Sequence, residues 1–253
     1  MKKKFLTLAA VLAVASLVLC EAALGAEEQN MQVFPKSGVP VLMYHSISSK
    51  YDNSICVSQK QFRKQMEWLR DNGYHAVSTD EFYDALADNG ALPEKPVLIT
   101  FDDGFKDNYK TAWPILKEFG FIGTFFVVTG KIDSYNLDWE DLKQLIENGN
   151  TIGSHSVTHR DLSSLSAAQQ EKELRESKRT LEEGLGTTVK AFCFPYGKYN
   201  KTTLALLPEL GYSLSFTTRS GKVCFGDDEY LLKRVHVEGG MSMASFKKQV
   251  SYD

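Results

Sequence analysis

The stretch Val97-Leu98-Ile99-Thr100-Phe101-Asp102-Asp103-Gly104 constrains this chain more than any other. Its apolar run is bounded by Pro96 and Gly104 and is too short for a core helix, so it reads as a strand buried on both faces. Two acids then stand where that strand meets its following loop, the end at which parallel α/β folds carry their chemistry. Neighbouring strand residues point to opposite sides, so both carboxylates reach one site only if the chain turns, and Gly104 permits the turn. A helix cap would explain one aspartate and leave the second unexplained.

The remaining pattern is strand–helix alternation. Strands are expected at Pro40–Tyr44, His75–Ser78, Ile122–Val128, Thr151–Ser154, Val189–Phe194, Tyr212–Thr217 and Lys233–Val237. Helices are expected after the capping pair Ser58/Gln61, after Thr79, after Asp138, after Ser166/Gln169, after Asn200 and over Met243–Val250. Between Gly104 and Gly120 the pattern suggests a short helix towards Trp113 and a second one opened by Pro114. About eight strands alternating with helices imply a parallel sheet, either closed or nearly closed into a barrel, or open and doubly wound. Neither a Gly-x-Gly-x-x-Gly nor a phosphate-binding Gly-Lys-Ser/Thr pattern is present, and the formal net charge of −3 leaves no footprint for nucleic acid.

The N-terminus reads as a targeting segment. Lys2, Lys3 and Lys4 precede an apolar run from Phe5 to Leu19, with small residues at Ala23 and Gly25, which makes residues 1–26 a secretory signal peptide. Its apolar run is short for a spanning helix, so no stable membrane span is expected after processing. Cys20 leaves lipoprotein anchoring as a lesser alternative, because Leu19 stands where such signals carry a small residue. Residues 27–38 read as a polar tether and 39–253 as one folded domain, secreted or held in the cell envelope. Cys56, Cys193 and Cys224 would remain, an odd number with no Cys-x-x-Cys pattern.

Ser154-His155-Ser156-Val157-Thr158-His159 places two histidines at i and i+4, which share a face on a helical turn. Two imidazoles and the carboxylate of Asp103 make a ligand set for a catalytic Zn²⁺ with one position open for water. Asp102 is then free to take a proton. Phe194-Pro195-Tyr196-Gly197 follows another strand end and can present a backbone N–H to a developing oxyanion. His75 lies at the wrong end of its strand for chemistry, His236 could point either way, and His45 lies at the right end.

Together these residues resemble the polysaccharide deacetylase family, also known as carbohydrate esterase family 4 or the NodB-homology domain. Thr100-Phe101-Asp102-Asp103-Gly104 matches its first motif and His155-Ser156-Val157-Thr158-His159 its second, within a resemblance running from about Val39 to Val237. It implies an α/β fold, a distorted (β/α) barrel of about seven to eight strands. It also implies a divalent metal, most often Zn²⁺, bound by Asp103, His155 and His159, with Asp102 as general base. The implied reaction is hydrolysis of acetyl groups on a sugar polymer such as peptidoglycan, poly-N-acetylglucosamine or a chitin-like glycan, with O-acetylated xylan an alternative substrate.

The third motif is Arg-x-Pro-Tyr in the family and Cys193-Phe194-Pro195-Tyr196 here. The Pro195–Tyr196 turn carries over as a substrate-binding element, but the arginine that orients the base does not. The Asp and Trp of the fourth motif are also missing from Ser213–Thr218. These losses raise a catalytically impaired glycan-binding module as a rival reading, unless Arg234 of the last strand replaces the arginine. The fifth motif, Leu-x-x-His, occurs not on the last strand but on the first, as Leu42-Met43-Tyr44-His45. In a closed barrel those strands are neighbours, so His45 is expected to act as the catalytic acid.

Overall fold

All six residues of the strand Pro96–Phe101 are buried, and it pairs in parallel with a strand on either side. The computed structural model describes residues 34–49, 53–87, 89–134 and 136–252. The expected signal peptide, and residues 27–33 of the expected tether, lie outside the described residues. Of that tether, residues 34–38 lie along the barrel, with Phe34 buried and its ring edge-on to Phe82.

In chain order the strands are β1 (Val41–Tyr44), β2 (Ser46–Ile47), β3 (Cys56–Val57), β4 (His75–Ala76), β5 (Pro96–Phe101), β6 (Thr124–Val127), β7 (Thr151–Ser154), β8 (Ala191–Cys193), β9 (Leu214–Ser220) and β10 (Leu232–His236). The α-helices are α1 (Gln59–Asp71), α2 (Thr79–Leu86), α3 (Trp113–Glu118), α4 (Trp139–Glu147), α5 (Ala167–Leu185), α6 (Lys201–Glu209) and α7 (Met243–Val250). Strands β5 to β10 follow one another in the sheet, and β1 pairs with both β10 and β5. The result is a closed parallel barrel of seven strands with flanking helices, with β4 appended to β5. An open doubly wound sheet is thereby excluded. The short parallel ribbon of β2 and β3 stands outside the ring and was not expected from the alternation.

Strand parity divides the core in two. Leu42, Tyr44, Val97, Ile99, Phe101, Phe125 and Phe192 face the helices and pack with Phe62, Leu116 and Leu174. Val41, Leu98, Phe126, Ala191, Cys193, Leu214, Phe216 and Leu232 form a second cluster that fills the barrel. Gly153 belongs to the inner layer, and a Cβ there would lie 2.4 Å from the Phe126 ring.

Between Gly104 and Gly120 there are not two helices: a π-helical turn, Asn108–Ala112, runs straight into α3. Pro114 lacks an N–H and its ring would press on the carbonyl four residues back, so widening the preceding turn lets the helix continue through it. Ser58 caps α1, but Gln61 does not reciprocate, since its side-chain amide donates to the Met241 carbonyl. The cap of α2 is Ser78, boxed with Glu81, rather than Thr79. The boxes at Asp138, Ser166 and Asn200 form as a capped start requires.

Candidate active site

The inward parity of the strands, carried one step past the ends of β1, β5 and β7, brings five side chains together at the C-terminal mouth of the barrel. They are Asp102 after β5, His155 after β7, His45 after β1, Cys193 at the end of β8 and Arg234 on β10. The chain then turns at Asp103 (φ 72°) and Gly104 (φ 67°), so two successive acids face one site. The Asn136 side-chain amide donates to the Asp103 carbonyl (2.6 Å) and holds that turn.

Asp103, His155 and His159 converge. Asp103 Oδ1 lies 3.1 Å from His159 Nε2 and 3.6 Å from His155 Nε2. The histidines do not share a helical turn, as their spacing suggested. They lie in an irregular loop in which Ser156 (φ 67°) and His159 (φ 57°) are left-handed, and this coiling brings the rings to 4.8 Å between centroids. Glu173 of α5 fixes the loop by accepting the Val157 and Thr158 amides (2.9 Å each) and the Thr158 hydroxyl. Ser156 Oγ accepts the His159 amide (2.9 Å).

The donor set fits a divalent metal. His155 Nδ1–H donates to the Cys193 carbonyl (2.7 Å), which leaves the lone pair of Nε2 towards the site. Burial pulls the His155 imidazole down to about 4, against the opposing pull of Asp102 and Asp103, so the ring is neutral and ready to ligate. Burial raises the Asp103 carboxyl, but His159 and His155 together leave it below its ordinary value. One carboxylate and two imidazole nitrogens suit Zn²⁺ or a similar cation.

Asp102 is held from β10, which lies next to β1, itself the neighbour of β5. Arg234 donates to both of its oxygens, Nη1 to Oδ1 at 2.8 Å and Nη2 to Oδ2 at 2.7 Å. Its remaining donors go to Thr217 O, Thr100 Oγ1 and Cys193 Sγ, and the side chain is fully buried. Burial raises the Asp102 carboxyl, yet the Arg234 charge and hydrogen bonds, helped by His155 and His45, hold it well below the usual carboxylate range. Burial also pushes the Cys193 thiol well above its ordinary value, despite the adjacent guanidinium. A guanidinium thus reaches Asp102 from β10, whereas Cys193, at the third motif's arginine position in the sequence, carries a thiol.

His45 points into the site, with Nε2 3.9 Å from Asp102 Oδ2. On the rim, Phe194-Pro195-Tyr196-Gly197 forms a tight turn with Tyr196 left-handed (φ 56°) and its ring edge-on to His159 (4.6 Å). Gly197 and Lys198 donate their amides to Phe194 and Pro195 carbonyls, whereas among the described residues the Tyr196 N–H has no acceptor. His236 is committed to the Thr218 carbonyl (2.6 Å) and His75 to the Glu94 carbonyl (2.7 Å). The supporting residues Glu173, Asp107, Asn108 and Asn136 carry no sequence signature, because each acts on backbone groups that only the fold brings near.

A carboxylate beside three converging groups that could hold a cation, at the C-terminal mouth of a parallel barrel, is an arrangement suited to hydrolysis. Comparison with known proteins agrees. Residues 89–215 match the polysaccharide deacetylase family. YxkH of Bacillus subtilis (strain 168), a relative named for that family, is 38% identical over 209 residues, covering 82% of this chain and 74% of its own. The poly-beta-1,6-N-acetyl-D-glucosamine N-deacetylase of Staphylococcus aureus (strain MRSA252) is 27% identical over 208 residues, covering 76% of this chain and 71% of its own. The solved Streptococcus pyogenes deacetylase PplD, in complex with acetate, superposes with a TM-score of 0.80 at 31% identity, covering 85% of this chain and 98% of that one. IcaB from Ammonifex degensii gives 0.75 at 28% identity, covering 85% and 97%. The chain belongs to the polysaccharide deacetylase family and is a deacetylase.

Proposed function

We propose that this enzyme removes N-acetyl groups from N-acetylglucosamine units of an extracellular or cell-wall polysaccharide, with a divalent cation, zinc by preference, held by Asp103, His155 and His159. The observation that carries this reading is Asp102: an ionised carboxylate, clamped on both oxygens by Arg234, beside three converging ligand atoms. The relatives named for poly-beta-1,6-N-acetyl-D-glucosamine deacetylation support the choice of polymer. The expected signal peptide supports an extracytoplasmic location, and among the described residues no helix is long and apolar enough to cross a membrane.

Bound at this site, a divalent cation supplies Lewis acidity, polarising an acetyl carbonyl and easing proton loss from water near neutral pH. The Tyr196 N–H, with Pro195 shaping the turn, donates to the oxygen on which negative charge develops. Asp102 accepts the proton of the attacking water, and Arg234 keeps the carboxylate oriented for it. His45 protonates the departing amine. The rival reading, a glycan-binding module with impaired chemistry, rests on the missing arginine and on the missing Asp and Trp of the fourth motif; the contact of Arg234 with Asp102 weakens the first of these grounds and leaves the second.

Acetate release from an N-acetylglucosamine oligomer, with added zinc, with chelator and with Asp102→Asn, tests the reading. Zinc-dependent release that falls by about a thousandfold or more in the variant is expected. Release that survives chelation, or that Asp102→Asn leaves intact, would contradict it.

A further inference from the structure

The segment carrying His45 is held by an element that the mechanism above does not use. Three consecutive residues, His45, Ser46 and Ile47, cross from the barrel to the β2–β3 ribbon, and each is tied to one of two adjacent side chains. The His45 carbonyl accepts from Asn108 Nδ2 (2.7 Å). Ser46 Oγ donates to Asp107 Oδ2 (2.6 Å), and the Ile47 amide donates to Asp107 Oδ1 (3.1 Å). Asn108 Nδ2 also donates to Asp107 Oδ1 (3.2 Å), so both acceptors lie on the same nitrogen and the orientation of the amide follows from its partners.

Asn108 opens the π-helical turn, and the Trp113 amide donates to its carbonyl five residues back. Its side chain is completely buried, and among the described residues its Oδ1 has no hydrogen-bond partner. A buried carbonyl oxygen without a donor is costly to keep, and an apolar residue would fill the space without that penalty. The hydrogen bonds of this side chain run through its nitrogen, one of them to the backbone of His45. The His45 carbonyl lies past the end of β1, beyond the ladders to β5 and β10.

We propose that Asn108 and Asp107 are positioning residues that aim His45 for proton transfer to the leaving amine, acting through the backbone of residues 45–47. This rests on the reading of His45 as the acid. Hydrolysis of a deacetylase substrate requires that proton to reach the nitrogen as the C–N bond breaks, so a misdirected imidazole lowers kcat and spares cation binding.

A double-mutant cycle on acetate release from N-acetylglucosamine oligomers separates positioning from general structural support. Asn108→Ala is expected to lower kcat by about tenfold to a hundredfold, with KM and zinc content unchanged. In a His45→Gln background the same change is expected to cost less than about twofold, because there is no acid left to aim. Equal losses in both backgrounds, or no loss in either, would overturn the proposal. If Asn108→Ala does not fold, Asp107→Asn, which keeps an acceptor for Ile47 but not the carboxylate held by Ser46, decides by the same cycle. If His45→Gln alone leaves kcat unchanged, the assignment of the acid fails, and that result is distinct from a failure of Asn108.

Discussion

The Arg234–Asp102 pair sets the electrostatics of the whole mouth. Two opposite charges almost wholly withdrawn from water persist because every donor of the guanidinium is engaged, on carboxylate, carbonyl, hydroxyl and thiol. Arg234 answers to position in space and not to the order of motifs, which is why the sequence around Cys193 suggests an impaired site while the structure does not. The same burial acts on His155, whose imidazole falls from an ordinary 6.5 to about 4. The unfolded chain then takes up that proton first on acidification. The stabilisation is full above pH 6.5 and is lost as pH falls towards 4, at a cost of roughly 3 kcal/mol. The depressed Asp102 carboxyl adds a further loss below its ordinary 3.8. For the metal-free protein, the urea midpoint is therefore expected to fall between pH 7 and 5, and His155→Gln should flatten most of that fall. A midpoint that stays level or rises on acidification would contradict the burial of a neutral His155.

At the level of elements, the strand ends present functional groups and the helices hold them in place. Most of the site was legible in the sequence because Asp102, Asp103, His155 and His159 sit in short contiguous segments directly after strands. The loop conformation is not: a spacing of four residues fits a helix, yet Ser156 and His159 adopt left-handed angles in a loop held by Glu173, by Ser156 Oγ and by the amides of Thr129 and Gly130. Glu173→Ala is expected to weaken zinc affinity about tenfold to a hundredfold, read by competition with a chromogenic chelator, while Asp102 and Arg234 stay in place. Unchanged affinity would mean that the loop holds its shape without α5. The π-helical turn was likewise hidden, since Pro114 reads as a helix start when its neighbours are unknown. Cap residues are local signals with mixed outcomes: Asp138, Ser166 and Asn200 cap their helices as expected, whereas Ser78 replaces Thr79 and Gln61 leaves its box open.

At the scale of the whole molecule, closure of the barrel is what makes the sequence order of the motifs unimportant. β1 lies between β10 and β5, so a histidine after the first strand and an arginine on the last meet the same carboxylate. Strand–helix alternation made the layered architecture legible but left open whether the sheet closes, because closure depends on the β1 pairings and on no local signal. The outlying ribbon of β2 and β3 was missed for a similar reason: its strands are two residues long and too short to show a period. The most direct test of a base clamped from the strand beyond β1 is the turnover of Arg234→Ala on an N-acetylglucosamine oligomer, measured at zinc occupancy equal to that of the unaltered enzyme. The expected result is a loss of kcat of about a hundredfold or more with little change in KM, and only partial recovery in Arg234→Lys, which cannot reach both carboxylate oxygens. Unchanged turnover in Arg234→Ala would contradict it.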